Sequence, residues 1–175
     1  MDSSATINGN SNPPSKMTVD QLPPEALALA TRLFTAARQG QLDIFQAAFS
    51  HSSSTQTPTA NIANLTNPSG NTLLMLASYH GHTPLVRLLL QHGADPNRLN
   101  DRGQSPLAGV VFKNERECVE VLLAGGADPE LGEPSAIEAC RVFGMAELEG
   151  VMAERVRERD KMGDRGGEVE GGGSR

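Results

Sequence analysis

Apolar residues recur along the chain in short helical stripes divided by glycine-bearing breaks. Between residues 68 and 100, Leu74, Leu76 and Ala77 make one stripe, and Leu85, Val86, Leu88, Leu89 and Leu90 make the next. Spacings of three and four place such residues on one helix face. The punctuation agrees with the periodicity. Thr72 stands where an N-cap hydroxyl accepts an orphan backbone N–H, Pro84 falls in a first helical turn where its missing N–H costs nothing, and Gly81 and Gly93 sit where the helices should end. The pattern predicts two antiparallel helices joined by a tight turn.

The same pattern returns one unit later. Residues 70–99 (GNTLLMLASYHGHTPLVRLLLQHGADPNRL) and 103–132 (GQSPLAGVVFKNERECVEVLLAGGADPELG) align at an offset of 33 with nine identities. These are Gly70/Gly103, Leu74/Leu107, Val86/Val119, Leu89/Leu122, Leu90/Leu123, Gly93/Gly126, Ala94/Ala127, Asp95/Asp128 and Pro96/Pro129. In the second copy Ser105 takes the cap, Pro106 the first turn and Asn114 the helix-ending glycine position, while Gly109 falls inside the first helix. Glycine there costs up to about 1 kcal/mol relative to alanine, so this copy is expected to be the softer. A 33-residue period with a Gly-x-Thr/Ser start, an apolar helix and a Gly-Ala-Asp close resembles the ankyrin repeat family.

Two degenerate units flank the pair. Leu33 to Asp43 matches an inner-to-outer helix junction, with Gly40 in the place of Gly81. Its interval to Gly81 is 41 rather than 33, which requires an eight-residue insertion, visible as the Ser/Thr-rich stretch His51–Ala60. A fourth unit begins at Ser135 and turns at Gly144. The resemblance thus implies an all-α solenoid over residues 23–155, with repeats near 24–66, 68–100, 101–132 and 133–155. Residues 1–22, rich in Ser, Asn and Pro, and residues 156–175, charged and then Gly-rich, have the composition of disordered tails. Terminal repeats of a stack are atypical because one face of each meets water.

Composition narrows the function class. Neither a membrane-length apolar run nor a secretory leader pattern is visible, so the chain reads as a soluble protein of the cytoplasm or nucleus. Cys118 and Cys140 share no spacing with each other or with a zinc motif, and each falls in a helical pattern as a small buried side chain. The net charge of −6 is uneven. Residues 113–150 carry nine acids against Lys113, Arg116 and Arg141, whereas the segments on either side are balanced. An acidic end repels nucleic acid and favours a basic partner.

No catalytic or metal constellation emerges. His80 and His82 straddle the Gly81 bend and His92 ends the next helix, without the converging spacing that zinc requires. The Gly-rich stretches do not follow strands, so none reads as a phosphate loop. Thr57-Pro58 in the insertion has the form of a proline-directed phosphorylation site, or of an exposed linker.

The family resemblance implies a non-enzymatic module, without cofactor, that binds another protein on a concave face of turn tips and inner helices. Carried over by position, that face comprises Asn71, Leu73, Arg102 and Gln104 at the tips, and Tyr79, His80, Phe112, Lys113 and Phe143 on the helices. Three aromatics in one register, in a chain with 3% aromatic residues, suit interface anchors. Leu73 and Met75 replace the Pro and His of the family pattern, which predicts a less rigid tip. A second reading makes the acidic segment an escort or inhibitor of a basic protein. A third, from another class, is a small enzyme or metal protein. A monomer is expected, since few exposed apolar runs are predicted.

Overall fold

The computed structural model describes residues 24–52 and 62–164. Eight helices lie in this part of the chain: α1 (Pro24–Gln39), α2 (Leu42–Ser52), α3 (Leu73–Tyr79), α4 (Thr83–Gln91), α5 (Pro106–Val111), α6 (Arg116–Ala124), α7 (Ala136–Val142) and α8 (Ala146–Asp164). They form four antiparallel pairs stacked side by side. Helices α1, α3, α5 and α7 make the inner row, each packing on the next, and α4, α6 and α8 pack successively behind them.

Local chemistry sets the helix ends. The Thr72 hydroxyl accepts from Met75 N at 3.0 Å and that of Ser105 from Ala108 N at 3.1 Å. Each satisfies a donor with no partner inside its own helix. Ser135 goes further, with a capping box in which its backbone N–H reaches Glu138 Oε2 at 2.9 Å. The bends between paired helices need a left-handed residue, which Gly40, Gly81 and Gly144 supply at φ near +70°. Asn114 holds the same place at φ 54°, a conformation asparagine tolerates better than most residues.

The core runs unbroken along the stack. Leu33, Phe45, Leu74, Leu85, Leu89, Leu107, Leu122 and Met152 are fully or almost fully buried. Burying such a side chain contributes about 1.5–3 kcal/mol. The inner stripe of α3 differs from the expected one. Leu73, Met75 and Ser78 are buried together with Leu74 and Ala77, while Leu76 is only half-buried. A seven-residue helix held between α1 and α5 has neighbours on both sides as well as behind it, so a single apolar stripe does not describe it.

Polar ladders lock one repeat to the next. Asn64 donates to Gly93 O at 2.7 Å and accepts from Asp95 N at 2.8 Å. One period later Asn97 donates to Gly126 O at 2.9 Å and accepts from Asp128 N at 2.8 Å. The next position of the series is Glu130, and there Arg159 of α8 takes over, reaching Glu130 at 2.7 Å and Asp128 at 3.0 Å. That contact lies past the boundary expected at residue 155. The last helix continues to Asp164 because its charged surface finds partners 29 and 31 residues back along the chain. Residues 1–23, with the expected tail 1–22, residues 165–175 of the expected tail 156–175, most of the insertion and Thr57 lie outside the described residues.

Candidate functional site

Tyr79 is the last residue of α3, and Phe112 and Phe143 are the C-cap residues of α5 and α7. One repeat apart in sequence, they fall in one row at the ends of successive inner helices. Their exposures are 46%, 45% and 49%, so none is a core residue. The rings of Phe112 and Phe143 meet edge to face with centroids 4.9 Å apart, a favoured arrangement of aromatic quadrupoles. Lys113 places its ammonium 5.0 Å from the centre of the Tyr79 ring, within cation–π range. The His80 ring lies nearly perpendicular to the same ring, with centroids 5.4 Å apart. Val142 extends the row at 77% exposure.

Beside this row lies an open groove of about 440 Å³ whose walls include Asn71, Tyr79, Arg102, Gln104 and Phe112. Gly109 forms part of its floor. A Cβ there would stand 3.9 Å from Tyr79 Cδ2, so the missing side chain leaves the space between the two aromatic walls open. The glycine that weakens α5 also gives the groove its depth.

The turn tips are firmly built. Asn67 Oδ1 accepts from both Ser69 N and Asn71 N at 3.0 Å. Asn100 Oδ1 repeats this with Arg102 N and Gln104 N, also at 3.0 Å. The Asn100 amide then donates to Asn71 Oδ1 at 2.8 Å and to Gln104 Oε1 at 3.1 Å. These asparagine bonds brace both tips, including the one before Leu73 where the missing histidine predicts a looser turn. The sequence contained a signal for these residues, the recurrence of asparagine at 64 and 97 and at 67 and 100.

Eight of the nine expected residues form one continuous surface. Asn71, Tyr79, Arg102, Gln104 and Phe112 line the groove, Lys113 and His80 join through Tyr79, and Phe143 joins through Phe112. Leu73 is the exception. It is fully buried, because as the first residue of α3 it follows the Thr72 cap into the core.

Electrostatics divides the molecule. His80 is held below its ordinary pKa by burial first, then by its neighbours His82, Lys113 and Arg38. The acidic segment is partly neutralised by its own arginines, through Arg116–Glu120 at 2.9 Å, Arg116–Glu147 at 3.5 Å and Arg141–Glu149 at 2.7 Å. Such exposed pairs add little stability, but they lower the charge on offer to a partner. The His82 ring bonds Arg38 O at 2.9 Å, and His92 stacks on Phe49 at 4.0 Å. Among the described residues no three His, Cys, Asp or Glu side chains converge as metal ligands. Burial pushes the Cys118 thiol up to about 11, which keeps it protonated and unreactive. No helix among the described residues is long and apolar enough to cross a membrane.

Comparison with known proteins agrees with this architecture. Residues 31–132, more than half of the chain, match the family model for ankyrin repeats (3 copies). Cyclin-dependent kinase 4 inhibitor B of Bos taurus is 37% identical over 73 residues, which is 42% of this chain and 55% of that protein. Ankyrin repeat and SAM domain-containing protein 6 of Mus musculus is 40% identical over 72 residues, 41% of this chain and 8% of the relative. BCL-6 corepressor-like protein 1 of Homo sapiens is 31% identical over 132 residues, 71% of this chain and 7% of the relative. The chain therefore spans about half of the bovine protein and under a tenth of the other two. With its 33-residue period, its four stacked helix pairs and the family match over residues 31–132, the chain belongs to the ankyrin repeat family.

Proposed function

We propose that this protein is a non-enzymatic binding module that receives another protein on its concave face, along the row formed by Tyr79, Phe112 and Phe143. The observation that carries the reading is the half-exposure of three aromatic rings in one register beside an open groove. Burying them at an interface removes apolar surface from water at little cost in side-chain entropy, which is why aromatics dominate binding hot spots. The hydrogen-bonded tips of Asn71, Asn100 and Gln104 hold the groove wall in place before a partner arrives, which lowers the ordering cost of association. Arg102, His80 and Lys113 would supply polar contacts around the aromatic centre. The bovine relative is named as an inhibitor of cyclin-dependent kinase 4, so a protein kinase is one defined partner to try.

The test is site-specific photocrosslinking with a benzophenone side chain at position 112, compared with one at Arg87, an exposed residue of the outer helix α4. Adducts formed from 112 and not from 87 support the groove. Adducts formed from 87 alone move the interface to the outer helices and defeat the reading.

A further inference from the structure

We infer that the concave face takes an acidic polypeptide segment bearing an aromatic or aliphatic anchor, the reverse of the basic partner that the net charge suggests. The inference rests on the reading of that face as the docking surface and adds the chemistry of its occupant.

The first observation is where the uncompensated charge lies. Arg38, Arg102 and Lys113 are exposed along the inner-helix ends and turn tips. Among the described residues no carboxylate lies within ion-pair distance of any of the three. The carboxylates on the same side are few or occupied. Glu138 is held by the Ser135 N–H, Asp101 is turned onto the Gly70 turn, Glu115 leans on the Gly81 bend, and Glu133 remains at the last tip. Glu120, Glu147 and Glu149 belong to the outer helices and their junctions, where Arg116 and Arg141 engage them. The chain is acidic as a whole, but the groove lining carries Arg102 and no carboxylate.

The second observation concerns where two of those cations act. The pKa of His80 is lowered by burial first and then in part by Lys113 and Arg38, so cations from two other inner-row junctions act on this point of the ridge. An acidic segment would relieve this repulsion, while a basic one would add to it. The third is the groove itself, open above Gly109 and walled by Tyr79 and Phe112, which accepts an apolar side chain between the charges. Nucleic acid would also satisfy the cations, but the net charge of −6 opposes a long polyanion more than a short peptide.

The experiment is selection of a phage-displayed random peptide library on the full chain. The selected peptides are then titrated by fluorescence anisotropy against the wild type, Arg102→Glu/Lys113→Glu and Tyr79→Ala/Phe112→Ala, each checked for helical content. The inference expects sequences enriched in Asp and Glu around an aromatic or aliphatic residue. Their affinity should fall roughly tenfold in the charge variant, weaken with salt, and vanish in the aromatic variant. Basic or uncharged peptides that need the aromatics but ignore the charge reversal would overturn this inference and leave the docking surface standing. Peptides that bind the aromatic variant unchanged would overturn both. Failure to select any peptide, or tighter binding of a single-stranded DNA probe to the same ridge, would overturn the acidic-segment inference.

Discussion

The rings of Phe112 and Phe143 meet edge to face with centroids 4.9 Å apart, although the two side chains stand on different repeats and both remain about half exposed. A contact of this kind adds little to folding, because each ring keeps about half of its surface in water. Phe112→Ala and Phe143→Ala should each cost less than about 1.5 kcal/mol in urea unfolding, the order of one aromatic pair. Leu107→Ala, in the fully buried row beneath, should cost about 2–5 kcal/mol. Equal losses at the three positions would place the aromatics in the core and count against an interface role.

Gly109 gives a prediction of opposite sign. Alanine there meets Tyr79 only at ordinary contact distance and should raise stability by up to about 1 kcal/mol through helix propensity. Gly109→Leu should keep the helical spectrum and lose the partner, since its side chain fills the groove. Thermal unfolding and a binding assay on the two variants separate these effects.

Gly40 and Gly144 share a left-handed φ of 68° and 67° but differ in their surroundings. A Cβ at 144 meets nothing within 4 Å, whereas one at 40 would stand 2.5 Å from His82 Nδ1. Both alanine variants carry the conformational cost of about 1–2 kcal/mol. Gly40→Ala should lose clearly more, because it also displaces the ring that bonds Arg38 O. Comparable denaturation midpoints for the two would show that His82 moves aside freely.

The Ser135–Glu138 capping box predicts a pH dependence. The Glu138 carboxyl is held below its ordinary value, first by the backbone N–H of Ser135 and then by its hydroxyl. A carboxylate favoured in the folded state stabilises above its unfolded pKa, about 4.3. That contribution is lost as pH falls through the lower folded value. Glu138→Gln should therefore narrow its stability gap to the wild type as the solution is acidified below about 4.3. A gap that stays constant down to the acid transition would mean the carboxylate gains nothing from the cap.

Much of this arrangement was legible in the chain. Thr72, Ser105, Gly81 and Asn114 sit where the 33-residue period places them, because caps and left-handed bends depend on neighbours a few residues away. The aromatic register was legible for the same reason, since one helix length separates each cap from its row. Leu73 was misplaced because its exposure depends on packing against adjacent repeats, which position within a single repeat does not encode. Arg159 was assigned to a tail because its partners, Asp128 and Glu130, lie a whole repeat away. Asn97 is not marked by its neighbours in sequence for a related reason, since its amide bonds the backbone of the next repeat's loop.

Arg159 also yields an expectation for dynamics. Removing its side chain should speed amide hydrogen exchange in the last turns of α8 while leaving α6 unchanged, because the latch holds only the end of the final helix. Faster exchange throughout α6 as well would mean that α8 supports the whole terminal repeat.

The central claim, that the concave aromatic row is where a partner docks, is tested most directly by affinity capture with the wild type beside Tyr79→Ala/Phe112→Ala, both verified by circular dichroism. The account predicts that a partner is retained by the wild type and lost from the variant at unchanged helical content. A partner retained equally by both would contradict it.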